Sequence, residues 1–144
     1  MPSPHEAPIL ALLAAIDSHA ARVMREHDLP VACPDEGLIN LVPGDSQEEG
    51  VRLGAGTREW SREIDCELVV RGSTAAARAD TLDVALVSLS ALVLADRQLG
   101  GAVDWIEVGA PQQTDAVPMQ GAETLAGAVL PVTIFYETTE NPME

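Results

Sequence analysis

Apolar and acidic residues alternate along residues 63–68, at the centre of the segment 62–71. The apolar positions are Ile64, Cys66, Leu68 and Val70, and acidic residues stand between the first three of them. An alternation with a period of two places the apolar side chains on one face of a β-strand whose other face meets solvent. The pattern therefore predicts a half-buried strand.

A long helix is predicted directly after this strand. Residues 75–96 contain no Gly or Pro and many strong helix formers, and the hydroxyl oxygen of Ser73 or Thr74 can cap the first turn. The apolar residues of this segment form two stripes, one of Leu82, Ala85 or Leu86, Leu89 and Val93 and the other of Val84, Val87, Ala91 and Leu94. A lone surface helix shows one stripe. Two stripes indicate either burial between two internal layers or a second face that a neighbouring subunit covers.

Two more strands are predicted beyond the helix. The helix is expected to stop at Gly100 and Gly101, and residues 102–108 and 129–136 are rich in β-branched and aromatic residues. A polar loop with two prolines separates these segments, which predicts a hairpin with a long loop.

The first half of the chain predicts one helix and one short strand. Apolar residues recur at helical spacing within residues 8–27, with charged residues mainly on the other side. Residues 38–42 are apolar except for one Asn and are bounded by turn-forming residues, which is typical of a short strand.

A loop is predicted over residues 44–57. This segment contains four glycines, the acidic residues Asp45, Glu48 and Glu49, and few large apolar residues. Because glycines raise the entropic cost of ordering and like charges repel, we expect the loop to be mobile in a free subunit. In an assembly it would become ordered at an interface or around a channel, with an ordinary solvated loop as the alternative.

These elements together predict an α/β fold of the α+β type. The expected architecture is a mostly antiparallel sheet of about four strands with two helices packed on one face, in the order helix-strand-strand-helix-strand-strand. Residues 1–144 suit a single domain that ends in a short tail at 138–144. The side chains expected to point inward are Ile16, Ile64, Leu68, Leu86, Leu89, Val132 and Ile134.

The second half of the chain resembles a known family of assembly proteins. The segment Asp96-Arg-Gln-Leu-Gly-Gly-Ala-Val-Asp is followed by Gly121-Ala-Glu-Thr-Leu-Ala-Gly-Ala-Val-Leu and by a strand with an aromatic end. Over roughly residues 58–138 this pattern resembles the tail-terminator (tail-completion) proteins of long-tailed phages and phage-like gene transfer agents. The resemblance implies a hexameric ring that caps the tail tube, ends its polymerisation and gives the head a docking surface.

The charge of the chain limits its partners. Eight basic residues, all Arg, stand against 23 acidic ones, for a formal net charge of −15. Because binding to phosphates needs a basic stripe, DNA is expected to pass through the ring without specific binding. The longest nearly apolar run, residues 84–95, is too short for a membrane span of about 20 residues. The resemblance to tail terminators in turn implies a protein made in the host cytoplasm and located in the virion, at the head-proximal end of the tail.

Catalytic motifs are not evident in the sequence. No metal-binding spacing joins the three histidines, His5, His19 and His27, to Cys33, and the glycines at 54 and 56 lack the rest of a phosphate-binding motif. The acids between the apolar positions of residues 62–71 favour a solvated face or an interface over an acid/base pair. Cys33 and Cys66 are expected to be reduced core thiols. No enzyme activity, cofactor or metal is therefore predicted.

Trp60 and Trp105 are the remaining candidates for a functional role. Aromatic platforms that stack bases use several aromatic residues interleaved with basic ones, whereas an acid directly precedes each of these two tryptophans, Glu59 before Trp60 and Asp104 before Trp105. We therefore expect them to anchor the core or a subunit interface.

The predicted function is that of a structural virion protein whose partners are copies of itself, the tail tube protein and a head-tail connector protein. Another head-tail connector or neck protein on the same scaffold is the alternative within this class. An acidic binding module, such as a DNA mimic that occupies a basic protein, is the alternative from a different class.

Overall fold

The computed structural model describes residues 1–25, 33–114 and 124–144. The helices are α1 (Ala7–Ile16) and α2 (Ala75–Leu94). The strands are β1 (Arg22–Arg25), β2 (Leu38–Arg52), β3 (Thr57–Arg71), β4 (Trp105–Val108), β5 (Gln112–Thr114) and β6 (Leu125–Thr138).

The six strands form one mixed sheet with the order β1-β2-β3-β6-β4, and β5 pairs with β6 as well. β1 runs parallel to β2, and the other pairings are antiparallel. The prediction of a four-stranded, mostly antiparallel sheet is therefore wrong, although the α+β class is compatible with the structure. The additional strands are the short edge strands β1 and β5, which contain too few residues to show an alternating pattern.

The helix predicted over residues 8–27 ends at Ile16, residues 22–25 form β1 instead, and residues 26 and 27 lie outside the described residues. His19 lies buried after the helix, where its Nε2 donates to the carbonyl of Ala85 (3.1 Å) and its Nδ1 accepts from the amide of Ala21 (2.9 Å). This turn redirects the chain toward β2. Tertiary pairing with β2 thus overrides the helical spacing of the apolar residues.

The prediction of a loop over residues 44–57 is also wrong, because β2 continues to Arg52 and only residues 53–56 form a turn. The pairing of β2 with β3 shifts between Pro43 and Ser46 and again between Glu48 and Gly50. These bulges break the alternation that identifies a strand in a sequence. The glycines of this segment lie at the bulges and in the turn. Gly54, for example, adopts a φ of +79° in the turn, a conformation that glycine favours.

The helix α2 begins at the predicted position. The side chain of Thr74 accepts a hydrogen bond from the amide of Ala77 (3.1 Å), which confirms the predicted cap. The helix ends at Leu94, slightly earlier than expected, and Asp96 accepts hydrogen bonds from two amides of the following turn. These backbone hydrogen bonds lower the pKa of the Asp96 carboxyl group.

The main core lies between the two helices and one face of the sheet. Six of the seven side chains expected to point inward are buried: Ile16, Ile64, Leu68, Leu89, Val132 and Ile134. Leu86 is only partly buried, because the buried positions of α2 are Leu82, Leu89 and Val93. The predicted inward stripe of α2 is thus confirmed at Leu82, Leu89 and Val93, while Leu86 packs against the core but is only partly buried.

The cysteines belong to two different clusters and are both free. Cys66 lies in the main core, and burial raises the pKa of its thiol to about 12. Cys33 packs with Leu38, Val69 and Leu125 in a second, smaller cluster, where burial also raises its pKa. The expectation of unpaired core thiols agrees with this arrangement.

Candidate assembly surfaces

The sheet face opposite to the helices carries most of the acidic side chains of the strands. Side chains alternate between the faces along each strand, and paired residues of antiparallel strands point to the same face. The alternation on β3 and the registers of β6 and β4 place Glu59, Glu63, Asp65, Glu67, Glu137 and Glu107 on this side. Asp45 of β2 lines a surface depression together with Glu63. Glu49 of β2 lines another depression together with Glu59 and Glu137. These eight residues are the acidic face.

The three acidic residues predicted to act together are divided between the two faces. Asp45 and Glu49 belong to the acidic face, but Glu48 is paired with Trp60 and points to the helix side. Both oxygens of Glu48 accept hydrogen bonds from Arg58 (3.0 and 2.7 Å), and these bonds lower its pKa. The structure therefore brings two of the three predicted residues into one surface and excludes the third.

Little positive charge offsets the acidic face near its centre. Arg52 forms ion pairs with Glu59 (3.2 Å) and Glu137 close to the β2–β3 turn. Within the described ranges, Glu63 and Asp65 have no ion pair. Such a surface repels phosphates and attracts basic protein surfaces.

Three of the four residues in the second apolar stripe of α2 are not covered by the described part of the subunit, whereas Leu94 packs against the main core. Val84 is 69% exposed, Val87 is 62% exposed and Ala91 is also exposed. These three residues are the helix patch. Of the two explanations for two stripes, burial between internal layers does not apply to these positions, and cover by another subunit stays a prediction.

A second exposed apolar surface lies at the end of the hairpin formed by β2 and β3. Val51 is 56% exposed and Leu53 is 97% exposed. Residues 51–56 form the hairpin tip. Leu53 stands at the beginning of the turn, where polar residues and Gly are the common choice, so its exposure is unusual for a residue of its type.

The two tryptophans occupy different environments. Trp60 packs against the main core, and its indole nitrogen donates to the hydroxyl of Thr138 (2.9 Å). Trp105 is 46% exposed on β4, and the guanidinium group of Arg97 lies 4.6 Å from its ring centre. Trp60 is therefore a core anchor, and Trp105 remains a candidate interface residue.

The structure contains a polar cluster that sequence reasoning missed. The hydroxyl of Tyr136 lies 2.6 Å from Nδ1 of His5 and 2.6 Å from the hydroxyl of Ser46. Arg62 donates to the backbone carbonyl of His5 (2.9 Å), and burial followed by the charge of Arg62 lowers the pKa of the His5 ring. The cluster ties the N-terminal segment to β2 and β6. The sequence contains no motif that predicts this cluster, because the residues that bond to His5 are 41 to 131 positions away from it.

His19 does not belong to this cluster. His19 bonds to backbone groups after α1, and His27 lies outside the described residues. Among the residues that the structure describes, no group of three or more His, Cys, Asp and Glu side chains is arranged to hold a metal ion. The same part of the chain contains no helix that is long and apolar enough to cross a membrane.

Comparisons with known proteins do not identify a family. No family model matches the sequence, and a search of curated proteins returns no significant match.

Proposed function

We propose that this chain is a tail-terminator-like structural subunit that works by closing into a ring at the head-proximal end of a tail tube. The observation that carries this proposal is the uncovered helix patch. Val84 and Val87 stand on a helix whose other stripe is already buried, so an additional partner is needed to remove them from water. The sequence resemblance over roughly residues 58–138 supplies the type of assembly.

The proposed mechanism is geometric rather than catalytic. Contacts that are satisfied around a closed ring leave no lateral edge for further growth. One face of the ring would meet the last layer of the tail tube and the opposite face would meet the head connector. No bond is made or broken in this process, and tube growth ends because the exposed ring face does not match another tube subunit.

The acidic face would keep DNA from binding to the ring. Asp45, Glu63 and Asp65 repel phosphate groups at short range, and the ring as a whole adds a large negative charge. If this face lines the channel, the genome slides past it without binding.

Polymerisation of the cognate tail tube protein tests the proposal. Tube lengths are measured by electron microscopy with and without the full chain, and we expect the chain to shorten the length distribution and to label one tube end. A Val87→Asp variant should lose the effect, and a Gln113→Asp variant with the same charge change at an exposed site should keep it. Tubes whose lengths do not respond to the wild-type chain contradict the terminator role.

Another connector or neck protein on the same scaffold remains the nearest competing function. In that case the chain would bind at the head-tail junction of finished particles but would not limit tube length. Labelling of particles combined with the tube-length measurement separates the two roles.

A DNA mimic is the candidate from a different class, and the acidic face together with the exposed Trp105 favours it. Such a module would bind a basic protein through its charge and would keep a small, constant mass. Light scattering distinguishes it from a ring-forming subunit, whose mass should rise under assembly conditions.

A further inference from the structure

We propose that His5 is a pH-sensitive latch that holds residues 3–6 against the sheet at neutral pH and releases them when its imidazole ring takes up a proton. Residues 3–6 lie in front of α1 and are the strap. Through His5 the strap contacts β2, β3 and β6 at Ser46, Arg62 and Tyr136, respectively. This device belongs to the fold itself and does not depend on the proposed function.

The hydrogen bonds of the latch favour a neutral ring. Nδ1 of His5 lies 2.6 Å from the hydroxyl of Tyr136 and 3.2 Å from the hydroxyl of Ser46, and the two hydroxyl oxygens are 2.6 Å apart. A neutral Nδ1 with a free lone pair accepts the proton of one hydroxyl, while that hydroxyl accepts from the other. A protonated Nδ1 has no lone pair to offer. One of the two hydroxyl protons then loses its acceptor within the cluster, which weakens the latch.

Positive charges around the ring also oppose its protonation. The guanidinium groups of Arg62 and Arg58 face the ring from β3, and Arg62 donates to the backbone carbonyl of His5 (2.9 Å). Burial, followed by the charge of Arg62, lowers the pKa of the imidazole, and a hydrogen bond with the backbone of Pro142 offsets this only in part. A proton on His5 therefore places two cations side by side.

Nearby carboxylates do not neutralise that repulsion. Both oxygens of Glu48 on β2 accept from Arg58, and both oxygens of Glu6 in the strap accept from the guanidinium group at the end of β1 (2.5 and 2.8 Å). These hydrogen bonds lower the pKa of both carboxyl groups, so they stay ionised while His5 titrates. Tyr136 on β6 stays uncharged, because burial raises the pKa of its phenol. Among the described residues around the strap, His5 is thus the group that changes charge near neutral pH.

Acid shifts the strap toward its released state. A released ring has the ordinary histidine pKa of 6.5, whereas the pKa of the bound ring is lower. The released strap therefore binds more protons, so the latch is closed above pH 6.5 and weakens as the pH falls from there through the lower bound value. Release stays local, since Ile9 and Leu12 of α1 are fully buried. It uncovers the rings of Trp60 and Tyr136, which His5 contacts edge to face.

The fluorescence of Trp60 reports release directly, because Trp105→Phe leaves Trp60 as the only tryptophan of the chain. In this background, acrylamide quenching of the fluorescence lifetime is measured at about pH 7.5 and about pH 5.5, on either side of the ordinary histidine pKa. We expect the quenching constant to rise at least about twofold at the acidic pH, because the ring edge that His5 covers becomes accessible. Far-UV circular dichroism should stay unchanged, since the helices and the sheet remain folded.

His5→Gln is the decisive variant. Its amide oxygen can still accept from Tyr136 but does not titrate, so the quenching constant should be the same at both pH values. His27→Gln, the same substitution at a histidine outside the described residues, is the matched control and should keep the rise. A rise of equal size in His5→Gln assigns the response to another group and overturns the proposal.

An NMR titration of the His5 ring separates release from protonation in place. A ring that titrates without any change in Trp60 quenching overturns the release of the strap. If His5→Gln fails to fold, Tyr136→Phe decides, because it removes one hydroxyl of the latch and keeps the titrating ring. The weaker latch should open at a higher pH, and a quenching midpoint no higher than that of the parent protein contradicts the proposal.

Discussion

Tyr136 and His5 lie 131 residues apart in the chain, yet the phenol oxygen and Nδ1 of the imidazole are separated by only 2.6 Å. Their rings meet edge to face, with centroids 5.4 Å apart, and the ring of Trp60 approaches His5 in the same manner at 5.1 Å. The N-terminal segment is therefore fixed to the end of β6 before α1 begins. The pair gives the N-terminus a structural role that its sequence does not reveal.

Replacement of Tyr136 by Phe is expected to lower the free energy of unfolding by about 1 to 2 kcal/mol, because the change removes a part-buried hydroxyl that bonds to both His5 and Ser46. Urea denaturation measures the effect as a shift of the midpoint. Ser88→Ala, which removes an exposed hydroxyl, is the control and should stay within about 0.5 kcal/mol of wild type. Equal midpoints for Tyr136→Phe and wild type would show that the cluster does not stabilise the fold.

The stability of the chain should fall on acidification partly through His5. Burial and the nearby charge of Arg62 lower the pKa of its ring from the ordinary value of 6.5 in the folded state. The unfolded chain then binds more protons at this site than the folded chain, so stability rises with pH in this range. The contribution is fully present above pH 6.5 and is lost as the pH falls from there through the lower folded value.

A His5→Gln variant isolates this effect. We expect the difference in unfolding free energy between wild type and variant to be largest above pH 6.5 and to shrink toward acid, as measured by denaturation at a series of pH values. Carboxylates such as Glu6, whose pKa is lowered mainly by its hydrogen bonds with Arg25, titrate in both proteins and cancel in the difference. A difference that does not change with pH rules out His5 as the source.

Leu89 and Leu86 provide a matched pair of substitutions on one helix. Leu89 is fully buried, so Leu89→Ala should cost about 2 to 5 kcal/mol of stability through lost burial and the remaining cavity. Leu86 is only partly buried, and Leu86→Ala should cost about 1 kcal/mol. Denaturation of both variants tests the orientation of α2, and a larger loss at Leu86 than at Leu89 would mean that the helix is rotated.

The parts of the fold that could be predicted are those in which local and tertiary preferences agree. The stripe containing Leu82, Leu89 and Val93 has helical spacing, no Gly or Pro interrupts it, and Thr74 caps it. The alternation around Cys66 identifies β3 in the same way, although β3 begins five residues earlier than its pattern, at Thr57. In both elements the side-chain period is the direct result of the backbone geometry.

The missed parts depend on partners that are distant in the sequence. The glycine and acidic residues of β2 have the composition of a loop, and two bulges interrupt the alternation that would identify a strand. Pairing with β3 is what makes this segment a strand. The acidic face follows from the register between strands, which a single strand does not reveal. Trp60 and Trp105 look alike as isolated aromatic residues, and only the fold makes one a core anchor and leaves the other exposed.

Salt provides a check on the proposed assembly into a ring. Six copies, the number implied by the resemblance, carry 6 × −15 = −90 formal charges, so association should weaken at low salt, where screening lengths exceed about 10 Å. Gln113→Asp adds the same charge as Val87→Asp but lies outside the helix patch, so it should change the mass distribution much less. Wild-type chains that remain single at every salt and protein concentration, and single in assembled tails, are incompatible with a ring.

The acidic face should matter for DNA passage and not for folding. Asp45→Arg combined with Glu63→Arg reverses two charges on this face, and we expect particles with this variant to assemble but to deliver DNA at least tenfold less efficiently, because the phosphates then bind the channel wall. Both side chains are exposed, so the free energy of unfolding should change by less than about 1 kcal/mol. The control variant, Glu36→Arg with Glu140→Arg, has the same net charge but changes exposed residues that are not part of the face. Equal delivery by the two variants, measured as transduction per assembled particle, would leave the acidic face without a role in DNA passage.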